Sequence, residues 1–316
     1  MSSTGASAES SVRIICGPTG AGKSALAMQL AESQGAIIVS ADSRQIYRGF
    51  NIGTAKPTLA ERERVLHRGL DVSDPAERYS AARWAEDARG WLRDAAEQGT
   101  AVIIVGDTGC YIRALSDPLF DSPDLDVARR AELEQHLASM RTDELRRWCE
   151  ALDRERAHLG RTQLLRAIET ALLTGTRMSD LHRTGSRAPG IVGRYLVVDP
   201  SDRLPSRLEQ RFDAMIRAGW ADEVSTLVRT VDGAAPAWKA SGYAVMREMV
   251  EGRIPMATAR ERVIIETRQY AKRQRTWFRH QLPPDSVTHL DPTNAAWRRD
   301  ALRWSEALAM TARRSA

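Results

Sequence analysis

Eight consecutive residues, Gly17-Pro18-Thr19-Gly20-Ala21-Gly22-Lys23-Ser24, restrict the folds open to this chain more than anything else in it. They satisfy the G-x-x-x-x-G-K-[ST] spacing of a P-loop, with an apolar run before and a helix-forming run after, the context that the mechanism needs. Glycines let the backbone curl round a phosphate, so that successive N–H groups and a helix N-terminus face it. Lys23 adds a point charge, and the Ser24 hydroxyl is placed to hold Mg²⁺ against the phosphate oxygens. The competing reading is an ordinary glycine-rich turn between strand and helix, and pattern and context together disfavour it.

Short β-branched runs recur at Val12 to Cys16, Ala36 to Ser40, Ala101 to Val105 and Tyr195 to Val198, with helical stretches such as Ser24 to Glu32 and Ala81 to Gln98 between them. Runs of this kind suit strands buried on both faces of a parallel sheet. Their alternation with helices predicts an α/β fold, a P-loop NTPase-like doubly wound parallel sheet. A length of 316 residues leaves room for a second domain. After the Pro- and Asp-rich segment Asp117 to Asp126 come amphipathic helical patterns with no strand between them. Residues 119–190 are therefore expected to form a helical insertion within a discontinuous core of residues 11–118 and 191–282. Thr162 is the expected cap of a helix Gln163 to Thr174, which Gly175 ends. Residues 1–10 are expected to be disordered, and residues 283–316, after Pro283 and Pro284, to be a polar tail.

Lys and Arg exceed Asp and Glu by 46 − 41 = 5, an excess compatible with a polyanionic partner without requiring one. Cys16, Cys110 and Cys149 lack the paired spacing of a zinc site or a disulfide framework. A reducing cytoplasm is the simplest compartment, and no apolar run is long enough to imply membrane insertion.

The cradle alone does not say which bond breaks. Phosphoryl transfer and loss of a diphosphate from carbon need the same neutralisation of the leaving oxygens. Asp42 falls at the carboxyl end of the second predicted strand, in the crevice where open α/β sheets bind ligands. It suits a general base acting on a weak nucleophile such as an adenine amine. It equally suits an Asx turn, and these two readings weigh about the same.

The surrounding run resembles a known signature. Ser40-Ala41-Asp42-Ser43-Arg44-Gln45-Ile46-Tyr47-Arg48-Gly49, with Asn51-Ile52-Gly53-Thr54-Ala55-Lys56-Pro57, is similar to the D-S-x-x-x-Y core and G-T-A-K-P tail of the tRNA dimethylallyltransferases. His67 to Asp71, Asp74-Pro75 and Tyr79-Ser80-Ala81 are similar to that family's next block. Further resemblances follow in family order: Val105-Gly106-Asp107-Thr108-Gly109-Cys110-Tyr111, the run Arg207 to Met215 with Gly219 and Glu223, and Thr267 to Arg279.

The resemblance implies transfer of a dimethylallyl group from dimethylallyl diphosphate to the exocyclic amine of the adenine immediately 3′ of the anticodon, with Mg²⁺ as cofactor. It implies Asp42 as general base in contact with that adenine, Thr108 on the leaving diphosphate oxygen and Arg211 as a second cationic clamp. By the same resemblance Asp42, Ser43, Arg44, Gln45, Thr162, Gln163, Arg166, Gly242, Tyr243, Arg268, Lys272, Arg273, Gln274, Arg275, Thr276, Trp277, Phe278 and Arg279 lie against the anticodon stem-loop. The expected partners are thus tRNA and the prenyl diphosphate, with no membrane, and the expected state is a monomer.

Three features bear on that picture. Asp107 stands where the family pattern has glycine and is expected to be a solvent-exposed turn residue, since a carboxylate beside a diphosphate repels it unless it points away or helps hold Mg²⁺. Arg207 and Glu209 fit a charged surface helix better than Arg211 does. Arg268, Lys272, Arg275 and Arg279 form one cationic stripe, whose self-repulsion a nucleic acid would relieve. Prenylation of a free adenine nucleotide, a small-molecule kinase and an RNA-binding module with an idle P-loop are the alternatives.

Overall fold

A computed structural model describes residues 11–116, 125–184 and 190–314. The expected disordered N-terminus, residues 1–10, and most of the Pro- and Asp-rich segment, residues 117–124, lie outside them. The described residues fall into two compact units, 11–116 with 190–314, and 125–184.

In the larger unit the chain runs through β1 (Val12–Cys16), α1 (Lys23–Gln34), β2 (Ile37–Ser40), α2 (Leu59–Arg64), β3 (His67–Arg68), α3 (Ala81–Glu97), β4 (Val102–Gly106) and α4 (Gly109–Ser116). The smaller unit holds α5 (Val127–Ala138), α6 (Thr142–Leu152), α7 (Arg161–Thr174) and α8 (Met178–Thr184), around a core that includes Leu145, Leu164, Ala167 and Ile168. The larger unit resumes with β5 (Gly193–Val198), α9 (Leu204–Arg217), α10 (Trp220–Thr230), α11 (Tyr243–Val250), α12 (Met256–Gln281), β6 (Val287–Leu290) and α13 (Trp297–Arg314).

Six strands pair in the order β3-β2-β4-β1-β5-β6, every neighbouring pair parallel. Successive strand residues point to opposite faces, and the core divides accordingly. Ile14, Val39, Ile104 and Tyr195 join one apolar cluster, while Ile15, Ile38, Ile103 and Leu196 join the other. With both faces covered, the sheet is doubly wound, as the sequence pattern predicts. The carboxyl ends of β1, β2 and β4 open side by side, where chain connections part to either side of β1.

Two expectations change. Residues after Pro284 do not trail off: β6 extends the sheet beyond β5, and α13 lays Trp297, Ala301, Leu302 and Trp304 on the second cluster. The strand is only four residues long and half of it, Thr288 and His289, is exposed, so its apolar signal is weak. The cap of α7 also moves. Gly160 occupies the cap position, the Gln163 side chain accepts its N–H at 3.1 Å, and Thr162 sits inside the first turn. Gly175 does end α7, in the left-handed conformation at φ +70°.

Candidate active site

The phosphate cradle is built by exclusion of side chains. Gly17 lies at φ +137°, and a Cβ there would sit 2.2 Å from the Val198 carbonyl oxygen, so only glycine lets the loop pass the end of β5. Lys23 opens α1, is buried, and donates to the Pro18 carbonyl at 2.9 Å. Ser24 follows on the first turn. Burial lowers the Lys23 pKa, Asp107 opposes that shift, and Arg211 adds to it.

Asp42 is the second residue after β2. Its Oδ1 accepts the Arg44 N–H at 2.8 Å and the Gln45 N–H at 3.3 Å, an Asx turn. Among the described residues, Oδ2 accepts no hydrogen bond. Burial pushes the Asp42 carboxyl up to about 6; the Asp107 carboxylate adds to the rise, and the Arg44 N–H and Lys23 oppose it. The Asx turn is thus present on Oδ1, and it leaves the other oxygen without a hydrogen bond among the described residues.

Lys23, Ser24, Asp42, Asp107 and Arg211 line one cleft of about 730 Å³, mouth included. A second cavity of about 600 Å³ shares Thr19, Asp42, Thr54, Asp107 and Arg211 with it, and is otherwise walled largely by apolar groups, among them Leu208, Phe212, Met215, Trp220 and Val263. A polar cleft and an apolar chamber thus meet at Asp42.

Asp107 corrects one expectation. It is only 9% exposed, and its Oδ2 lies 3.9 Å from the Lys23 Nζ, facing the cleft rather than solvent. Arg211 reaches the same place, its pKa lowered by burial with Asp107 and Asp42 opposing. Arg207 is no idle surface charge either. It lies beside the P-loop, lining a pocket with Lys23, Ser24 and Arg211, and a Cβ on Gly22 would approach its Nη2 to 2.9 Å.

Thr108 is bonded within the protein. Buried at the start of the loop after β4, its hydroxyl accepts the Ser43 N–H at 2.9 Å and donates to the Ser43 hydroxyl at 3.3 Å, tying that loop to the one carrying Asp42. Four residues expected against tRNA are likewise used inside the protein. Gln45 takes a hydrogen bond from Ser40 and donates to the carbonyls of Thr54 and Ala55. Tyr243 is fully buried; its hydroxyl donates to Glu223 at 2.6 Å and accepts the Gly53 N–H at 3.1 Å. Glu223 also takes the N–H groups of Asn51 and Ile52, so α10 and α11 clamp the turn that walls the apolar chamber. Gln274 accepts the Thr19 N–H at 2.8 Å and donates to the Asp107 carbonyl at 3.1 Å, joining P-loop, α12 and the β4 loop. Phe278 packs in the core, 4% exposed.

The rest of α12 is divided. Arg268 pairs with Glu209, and Arg275 with Asp199 at 2.5 Å, so half of the predicted stripe is neutralised internally. Lys272, Arg273 and Arg279 are exposed, with no acidic partner among the described residues. Thr276 is exposed too, and the half-buried Trp277 presses its ring onto Gly109, where a Cβ would come within 2.4 Å of it. Ser43 and Arg44 are half-buried beside Asp42, and Gly242 takes the left-handed turn that caps α11. Thr162, Gln163 and Arg166 belong to the smaller unit, exposed along the start of α7.

Sequence reading missed Lys56 as a structural cation. It is buried, bonded to Asp71 at 2.5 Å, to the Tyr47 carbonyl at 2.6 Å and to Asn51 at 2.9 Å, and it holds the Asp42 loop closed. The G-T-A-K-P spacing was its only signal.

Fold and site together define a P-loop α/β protein whose glycine-rich loop shares a cleft with a buried aspartate. The IPP transferase profile matches residues 45–281, and the isopentenyl transferase profile residues 10–72. The chain is 43% identical over 280 residues to a tRNA dimethylallyltransferase of Halorhodospira halophila, covering 85% of this chain and 90% of that one. It is 41% identical over 285 residues to one of Bordetella petrii, covering 86% and 91%. The chain belongs to the IPP transferase family, whose curated relatives are tRNA dimethylallyltransferases. Among solved structures it resembles the full-length tRNA isopentenylpyrophosphate transferase of Bacillus halodurans, at a TM-score of 0.68 and 28% identity over 97% of this chain and 98% of that one. A eukaryotic dimethylallyltransferase acting on tRNA shares the fold at a TM-score of 0.76 and 24% identity, covering 93% and 77%.

Proposed function

We propose that this protein transfers the dimethylallyl group of dimethylallyl diphosphate to the exocyclic amine of the tRNA adenine immediately 3′ of the anticodon. One observation carries the reading: Lys23 of the cradle and the free oxygen of Asp42 line the same cleft, and an apolar chamber opens beside them.

P-loop N–H groups, Lys23 and Arg211 hold the diphosphate of the donor, with charge-assisted bonds that strengthen as the leaving group gains charge. The Ser24 hydroxyl and the carboxylate of Asp107, both at the cleft, fit Mg²⁺, which would supply further neutralisation of those oxygens. The adenine amine attacks the allylic carbon as its bond to oxygen breaks, the electron pair leaving on diphosphate. The amine proton passes to Asp42 Oδ2, so that prenyladenine and diphosphate result with the proton on the carboxyl. A pKa near 6 suits that acceptor. Thr108 positions Ser43 and the Asp42 turn. Lys272, Arg273 and Arg279 supply phosphate contacts, and reaching an embedded base requires flipping it from its stack.

The protein is proposed to work as a monomer in the cytoplasm; no helix among the described residues is long and apolar enough to cross a membrane. Mass analysis of nucleosides from tRNA incubated with protein, dimethylallyl diphosphate and Mg²⁺ tests the proposal. Prenyladenosine in the anticodon loop is expected. Labelled AMP with unlabelled tRNA would overturn it in favour of a free-nucleotide prenyltransferase.

A further inference from the structure

We infer that Asp107 is a carboxylate ligand for the divalent cation, acting with Ser24 to give this chain a two-armed metal seat. The inference rests on the diphosphate-binding reading of the cleft. Topology places the residue: β4 is the strand beside β1, and Asp107 is the first residue after it, so the P-loop hydroxyl and a strand-end carboxylate face one crevice. In P-loop NTPases that pairing of a P-loop Ser or Thr with an aspartate holds Mg²⁺.

The side chain is built for a charged ligand. Asp107 is 9% exposed, and among the described residues its carboxylate accepts no hydrogen bond; the nearest cation, Lys23, stands 3.9 Å away, beyond hydrogen-bond reach. Its backbone carbonyl is fixed by Gln274, so the residue is anchored while its carboxylate stays unspent. A diphosphate entering the cleft would meet this carboxylate as a like charge, and a cation between them turns repulsion into coordination. Among the described residues no three His, Cys, Asp or Glu side chains cluster as a metal cage. Mg²⁺ is usually held by one or two carboxylates plus substrate oxygens, so no such cage is needed.

The test titrates Mn²⁺ into the protein with inorganic diphosphate present, read by electron paramagnetic resonance, in wild type, Asp107→Asn and Asp107→Gly. Both variants should bind Mn²⁺ at least about tenfold more weakly. With metal chelated, both should bind inorganic diphosphate more tightly than wild type, because the opposing carboxylate is gone. Equal Mn²⁺ affinity in wild type and in either variant that melts like it overturns the inference. Neither titration uses a prenyl donor or acceptor. A protein that loses Mn²⁺ with Asp107 yet leaves tRNA unmodified would refute the proposed reaction and retain this metal seat.

Discussion

In the proposed reaction Asp42 divides its work between two oxygens, and the division sets a pH dependence. Oδ1 is committed to the Arg44 and Gln45 N–H groups, which fixes the carboxylate plane, while Oδ2 has no hydrogen bond among the described residues and Asp42 lines the cleft. Because burial raises the carboxyl to about 6, the acid form is favoured more than in an ordinary aspartate, and the base form, which transfer requires, is present above that value and lost below it. On the acid side kcat/KM should therefore fall about tenfold per pH unit below a midpoint near 6, measured under subsaturating donor. A flat profile down to the ordinary aspartate range would remove Asp42 from the proton transfer. Asp42→Ala should abolish transfer and leave tRNA affinity within a few fold, as read by filter binding; wild-type turnover in that variant would refute the base assignment.

At the scale of the element, α12 serves two sides. Its exposed cations point outward, while Gln274 turns inward and joins Thr19 of the P-loop to the Asp107 carbonyl. Removing that amide leaves a buried N–H and a buried carbonyl unpaired, a cost of about 1–3 kcal/mol for each. Gln274→Ala should thus lower the melting temperature and weaken donor binding, while tRNA affinity stays near wild type; a selective loss of tRNA affinity would restore the reading of Gln274 as a nucleic-acid contact. The contrast shows what linear sequence carries. The P-loop, the four inner strands β1, β2, β4 and β5 and Asp42 were legible because their signals are local: glycine spacing, β-branched runs, a carboxylate at a strand end. Gln274, Tyr243, Glu223 and Lys56 were not, because their partners lie far along the chain and helical spacing alone does not say which face meets a neighbour. Their motif membership was visible, but whether a motif residue touches the substrate or holds the loop that does so depends on packing.

For the whole molecule, the C-terminal residues bear on the site although none of the described ones lines it. β6 covers the outer edge of β5, and Ser305 on α13 accepts from the buried Arg13 guanidinium of the central strand at 3.0 Å. Leu290 and Ala301 are buried, with Trp297, Leu302 and Trp304 packed partly beside them. Losing these contacts costs roughly 5 kcal/mol or more at 1.5–3 kcal/mol for each large side chain. It would also bare the β5 edge, a template for aggregation. The consequence reaches the cradle, because the carboxyl end of β5 is the surface Gly17 passes over and Asp199 just beyond it holds Arg275. A chain ending at Leu282 should therefore melt about 10–20 °C lower by differential scanning fluorimetry, elute partly as aggregate, and bind inorganic diphosphate poorly even where it remains folded. A truncated chain that melts with the full-length protein and keeps its diphosphate affinity would show that β6 and α13 are an appendage after all, and that the sheet needs only its inner five strands to hold the P-loop in place.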